Sequence, residues 1–248
     1  MKDGRRSNKG RFRTNDGYFF NHKHVIFIIK LIVFLFCFIN TGKKLRIFLN
    51  FDSEVHLVIR GNGYQDVLST VFNYQPSMVL VNGISKTLIN KSFELDYEGE
   101  NNVVLIFRPQ IRSYRRIFLH LGNITEIDLS NFNFFDVATV EYMFHNCSNL
   151  KKINFGDIDI SSVTLMNNLF CYCPNLESLN LTRFNTKSVT SMENIFFRRS
   201  SLTSIDLSNF NTRSLNTLNQ MFYGCEKLTS IDLSNFYRYR ITYINLKQ

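Results

Sequence analysis

The sequence predicts an α/β solenoid, about five to six 26-residue coils closed at the N-terminal end by a small β-rich cap. Three observations carry that expectation: a 26-residue period through the C-terminal half, apolar columns that keep register along it, and a preceding stretch that alternates but does not repeat. With 44% hydrophobic and 20% charged residues over 248 positions, the chain can bury a sizeable core.

From the N-terminus, residues 1–24 read as a basic cytoplasmic tail and residues 25–39 (VIFIIKLIVFLFCFI) as a signal anchor or a signal peptide. As a helix the apolar run spans about 22 Å, short of a hydrocarbon core of roughly 30 Å, and Lys30 is placed to snorkel. No A-x-A-like cleavage site follows at Asn40-Thr41-Gly42, so anchor, cleaved signal and a buried helix of a soluble protein stay open. If the segment anchors, the basic excess before it keeps the N-terminus cytoplasmic, and the membrane is engaged through residues 25–39. Residues 1–46 hold eleven Lys/Arg and two Asp, the whole of the net charge of +9; the remaining 18 basic and 18 acidic residues cancel. A neutral body has no phosphate-binding field, which excludes nucleic acid as a partner. Four N-x-[ST] sequons, Asn90, Asn123, Asn146 and Asn180, are candidate glycosylation sites on a secretory route.

Residues 44–100 form the cap. Glu54–Ile59 and Met78–Val81 read as strands, Gly61-Asn62-Gly63 and Asn82-Gly83 as turns, and Ser92–Tyr97 alternates. The unit either covers the open edge of the first coil or binds independently.

The repeat occupies residues 101–248, with full units starting at Gly122, Ser148, Pro174, Ser200 and Glu226. Ile124, Leu150, Leu176, Leu202 and Leu228 share a column, followed by columns headed by Ile127, Leu129 and Phe132. The pattern L-x-x-L-x-L-x-x-F has the period-2 core of a short strand. Val137, Val140, Met143 and Phe144, with their equivalents, follow at spacings of 3, 3 and 1, which predicts a short helical or 3₁₀ stretch facing inward. Ile111, Tyr114, Ile117 and Phe118 continue these columns backward, and Val103–Phe107 is expected to supply the strand of a degenerate first coil.

The phrase LTSIDLSNF-N-T-x-S-[VL]-x-x-[ML]-x-x-[MI]-F-x-x-C, nearly whole in residues 201–225, resembles the BspA-type leucine-rich repeat of bacterial and protist surface proteins. The resemblance covers roughly residues 101–248 and implies a leucine-rich-repeat-like solenoid at a cell surface, with adhesion or partner binding and no catalysis. Two departures stand out. Arg199 replaces the cysteine of Cys147, Cys173 and Cys225, so that turn is expected to bulge or be solvated. The last coil carries Tyr237-Arg238-Tyr239-Arg240 and lacks the final M-F-x-x-C, as a divergent cap or a truncation would.

No catalytic, cofactor or metal site is expected. The column cysteines read as buried thiols, with a Cys147–Cys173 disulfide as the alternative; Cys171-Tyr172-Cys173 has no second ligand pair for zinc. His22, His24, His56, His120 and His145 fall in no H-E-x-x-H or nucleophile motif, and Gly61-x-Gly63 lacks the rest of a phosphate loop. The candidate partner-binding surface is the outward strand face: Asp128, Asn154, Asn180, Asp206 and Asp232 as a polar ladder, beside Glu126, Lys152, Ser178, Ser204 and Ser230. A glycan at Asn180 would stand in the middle of that face. The expected role is a cell-surface or secreted protein that binds a protein or glycan ligand. The alternatives are a self-associating coat component and an intracellular repeat scaffold.

Overall fold

A computed structural model of the protein describes residues 11–13, 19–21, 53–108 and 111–236. It has two units, residues 1–50 and 51–248. In the first, β1 (Arg11–Arg13) and β2 (Phe19–Asn21) form an antiparallel pair. The apolar segment at 25–39, expected to be an anchor or a signal, and residues 237–248, with Ile241 and Ile244, lie outside the described residues; among the described residues no helix is long and apolar enough to cross a membrane.

The second unit holds six strands: β3 (Ser53–Asp66), β4 (Met78–Val81), β5 (Ile84–Lys86), β6 (Ser92–Phe107), β7 (Ile124–Asp128) and β8 (Lys152–Asn154). They form one open mixed sheet in the order β5-β4-β6-β3-β7-β8, antiparallel except for β7 and β8. β3 alternates Val55, Leu57 and Ile59 inward with His56, Val58 and Arg60 outward, as a strand with one solvated face should. Gly61-Asn62-Gly63 is not a turn. β3 runs through it, and the register shift against β6 between Gly61 and Gly63 is a β-bulge. The turn at Asn82-Gly83 does form, with φ of 49° and 81° at its two central residues, the signature of a type I′ hairpin.

Val103–Phe107 does not head a first coil. It is the second half of β6, paired antiparallel with Ser53–Leu57. The first strand of the repeats is β7, and β3 covers its free edge through His56↔Asp128 and Leu57↔Ile127. Residues 67–72 turn beneath the sheet, where Ser69 N–H donates to the Ile117 carbonyl (2.9 Å). An aromatic cluster, Phe72, Phe107, Phe132 and Tyr114, joins sheet to repeats with ring centroids 4.4–6.3 Å apart. Burial pushes the Tyr114 phenol up to about 12 against a lowering hydrogen bond with Ser53, and its hydroxyl donates to the Asn133 carbonyl (2.9 Å).

The expected α/β solenoid is overturned: the described residues contain a mixed β-sheet and no helix. The apolar spacing of 3, 3 and 1 belongs to overlapping turns. Alternate N–H groups leave the coil for the next one, Tyr114 to the Thr139 carbonyl (3.1 Å), Arg116 to Glu141 (3.0 Å), Phe118 to Met143 (3.0 Å) and His120 to His145 (2.9 Å). The others close turns three residues back, Ile117 to Tyr114 and Leu121 to Phe118, at 3.3 Å each. An α-helix needs its N–H groups for its own i−4 carbonyls, and here half are spent between coils. The turns place positive φ at their third residue, in the columns of Arg116 (64°), Tyr142, Asn168, Asn194 and Gln220 and of His120 (65°), Asn146, Tyr172, Arg198 and Gly224. A left-handed L-residue costs roughly 1–2 kcal/mol, which the inter-coil hydrogen bonds offset.

A turn returns its side chains to one side every three residues, so the columns are buried although no helix forms. Phe118, Phe144, Phe170, Phe196 and Phe222 stack with centroids 5.9, 5.6, 5.9 and 5.3 Å apart and ring planes within 16°. Parallel bridges step from Ser113 through Thr139, Leu165 and Ser191 to Thr217, 26 residues each time. Leu176 and Leu202 are both fully buried. On the other side the strands end early: coils beyond β8 have no strand at 178–180, 204–206 or 230–232.

Arg199 does not bulge. It stays in register, fully buried, and its Nη2 donates to the Leu176 carbonyl while Nε and Nη1 have no partner among the described residues. Burial holds its guanidinium down at about 10, with Cys173 and Cys225 opposing.

Candidate functional site

The outward face of β6, β3, β7 and β8 carries a shallow groove of about 380 Å³. It is lined by His56 and Asn102 from the hairpin and by Glu126, Asp128, Lys152 and Asn154 from the first two coils. Strand pairing fixes this set: His56 stands opposite Asp128, Glu126 is level with Lys152, and Asp128 with Asn154. Lys152 Nζ lies 3.9 Å from Glu126 Oε2, an exposed pair of little energetic weight. Glu54 Oε2 approaches His56 Nε2 at 3.5 Å. The face thus offers both charges, amides and an imidazole on a hydrogen-bonded backbone.

The structure brings together four of the ten residues expected on the partner face. Ser178, Asn180, Ser204, Asp206, Ser230 and Asp232 are also exposed, but stand on coils without strands and outside this groove. Asn180 lines a second depression with Asn154, Asp157 and Arg183.

The expected polar ladder has a local job that the sequence reading missed. In every coil the side-chain oxygen accepts the N–H two residues on: Ser130 to Asp128 (2.8 Å), Gly156 to Asn154 (3.1 Å), Thr182 to Asn180 (3.2 Å), Ser208 to Asp206 (2.9 Å) and Ser234 to Asp232 (2.8 Å). These are Asx turns that end each outward segment. Asn154 Nδ2 also donates to Asp128 Oδ2 at 3.1 Å. Burial alone would raise the Asp128 carboxyl; Ser130, Asn154 and the His56 charge hold it below its ordinary value. Hydrogen bonds from Ser208 lower Asp206, and those from Ser234 lower Asp232. A fixed Asx column with Ser, Gly or Thr two residues later was the available signal. A second Asx column, Asn133, Asp159, Asn185 and Asn211, caps the next corner in the same way.

The sequons differ in availability. Asn123 Nδ2, the atom a glycan would take, donates to Gln65 Oε1 (3.0 Å) and the Asp66 carbonyl (2.9 Å). Asn146 Nδ2 lies 2.9 Å from His120 Nδ1. Asn90 is exposed in a turn, and Asn180 is exposed with its Oδ1 held by Thr182.

Cys147, Cys171, Cys173 and Cys225 are buried free thiols. Cys147, Cys173 and Cys225 each donate to the carbonyl 29 residues back, at 2.9–3.0 Å. Burial pushes Cys173 up to about 12 and Cys147 well above the thiol range. Among the described residues no His/Cys/Asp/Glu group could hold a metal ion.

Residues 138–245 match a family model described as a Mycoplasma protein of unknown function, DUF285. The match lies wholly within the repeats and covers less than half of the chain. No curated protein and no solved structure matches it.

Proposed function

We propose that the chain is a non-catalytic surface or secreted binding protein that offers the β6-β3-β7-β8 face to a protein or glycan partner. The observation that supports this is the groove's continuity: one hydrogen-bonded sheet carries His56 of the hairpin and Lys152 of the second coil to the same depression. Side chains on paired strands are held more rigidly than on loops, and recognition surfaces profit from that. Exposed charges of both signs give orientation and on-rate to a docking partner. The surface placement rests on residues 25–39, read as a signal.

The test uses beads coated with the full-length chain and cultured cells as the target. Attachment should fall at least about tenfold with His56→Glu/Lys152→Glu, both exposed, at an unchanged unfolding midpoint. Attachment that survives both substitutions would remove this face from the proposal. Proteolysis of intact cells carrying a C-terminal tag checks the location, and sedimentation of the protein alone separates a self-associating coat from an adhesin.

A further inference from the structure

On the turn side, two adjacent columns run His145, Cys171, Phe197, Tyr223 and Asn146, Tyr172, Arg198, Gly224. Their rings meet in an unbroken series: His145–Tyr172 at 5.6 Å, Tyr172–Phe197 at 5.5 Å and Phe197–Tyr223 at 5.0 Å, the last pair stacked within 12°. Those are ring-packing distances, so a continuous aromatic ramp crosses four coils. Arg198 lies on it, its guanidinium carbon 5.8 Å from both the Tyr172 and Phe197 ring centroids. The side chain is exposed, and among the described residues its guanidinium makes no ion pair or hydrogen bond.

A groove of about 470 Å³ opens at this point, within the range of small-molecule clefts. Gly224 creates it. In the column of His120, Asn146, Tyr172 and Arg198, Gly224 alone has no side chain, and the Arg198 stem packs over it. A Cβ on Gly224 would stand 2.9 Å from Arg198 Cγ. Tyr172 and Tyr223 form aromatic walls, and Ser148, Ser200 and Glu226 supply hydroxyl and carboxylate groups.

This combination selects a ligand. The ring faces suit the C–H face of a pyranose. The Arg198 fork suits a carboxylate. Glu226 and the serines suit vicinal hydroxyls. An acidic peptide would satisfy Arg198 and could donate backbone N–H groups to Glu226, but its backbone has no flat C–H face for the tyrosine rings, and a neutral sugar leaves Arg198 unmatched. We propose that the groove binds a carboxylate-bearing sugar, a sialic or hexuronic acid residue of a glycan, with the carboxylate on Arg198 and the ring against the tyrosines.

The test titrates the full-length chain with 3′-sialyllactose, a hyaluronan tetrasaccharide and lactose, read by saturation-transfer NMR and calorimetry. The controls are Arg198→Asn and Tyr172→Asn. Asn146 already holds that column at φ 59°, so both variants should fold, with unfolding midpoints to check it. Saturable binding of one acidic probe, weakened at least tenfold by either variant and absent with lactose, is expected; the acidic probe that binds names the source of the sugar. Binding of neither acidic probe, equal binding of lactose, or a Kd that Arg198→Asn changes less than twofold would overturn the proposal.

Discussion

Arg199 is the least compatible residue with its surroundings. A buried guanidinium with two nitrogens unpartnered among the described residues stands where three other coils place a thiol. Replacing a buried charge by an apolar side chain of similar volume is often neutral or stabilising by about 1–4 kcal/mol. Arg199→Met should therefore raise the thermal midpoint by several degrees, and a midpoint that falls would mean the guanidinium is satisfied in solution. The thiols give the opposite pH behaviour. Cys173 sits near 12 in the fold and close to its ordinary value when unfolded, so the unfolded chain loses its proton first as pH rises. Its stabilising contribution is complete below about pH 9 and is lost between 9 and 12, at roughly 1.4 kcal/mol per pH unit. Arg199, lowered to about 10, works against that trend, because its burial cost is relieved as it deprotonates. Urea midpoints between pH 8 and 11 should fall for the wild type and fall less steeply for Cys173→Ala. Gly156 is a third point of strain. Its φ is 55°, and a Cβ would meet Ser130 Cα and Cβ at 2.7 Å. Backbone cannot withdraw as a side chain can, so Gly156→Ala should cost about 1–3 kcal/mol. Gly63→Ala, with a φ of 64° and nothing within 4 Å, should cost about 1 kcal/mol. Equal losses in chemical denaturation would contradict the steric argument.

The elements separate what periodicity can say from what it cannot. The spacing 3, 3, 1 tells which of Val137, Val140, Met143 and Phe144 face inward, and all four are buried. It does not tell helix from overlapping turns, because both return to one side after three residues. The deciding fact is where the N–H of Tyr142 goes, to the Asn167 carbonyl of the next coil (3.0 Å), and that is a property of the stack. Likewise Val103–Phe107 alternates as a strand must, but its partner at Ser53–Leu57 lies some fifty residues earlier, beyond any local pattern. The candidate groove was legible for the same reason only in its repeat half. Glu126, Asp128, Lys152 and Asn154 follow from the column, while His56 and Asn102 enter through long-range pairing. The Asx turns give this scale its own prediction. Asn180→Asp keeps the acceptor for Thr182 N–H and should leave stability nearly unchanged. Asn180→Ala removes it and should cost about 0.5–1.5 kcal/mol. Thermal melts of the pair check this, and a loss in Asn180→Asp as large as in Asn180→Ala would assign the column to something other than the turn.

At the scale of the molecule, what is conserved from coil to coil is a step, and the step is testable apart from any residue. Ser113, Thr139, Leu165, Ser191 and Thr217 bridge in sequence, the five phenylalanines stack beside them, and every one of these contacts joins residues 26 apart. Each coil therefore presents to its successor the surface it receives from its predecessor. Removing residues 174–199 takes out one whole period and brings Leu165 against Thr217 and Phe170 against Phe222, so the ladder closes over the gap. The shortened chain should unfold cooperatively at a lower midpoint, since one coil of burial is lost. Removing residues 174–193, six short of a period, would place polar positions in the apolar columns and carbonyls away from their donors. That chain should lose its cooperative transition and bind a hydrophobic dye. If both deletions behaved alike, the stack would not be held by its period, and the grooves that depend on adjacent coils, the one under Lys152 and the one beside Arg198, would lose their physical basis together.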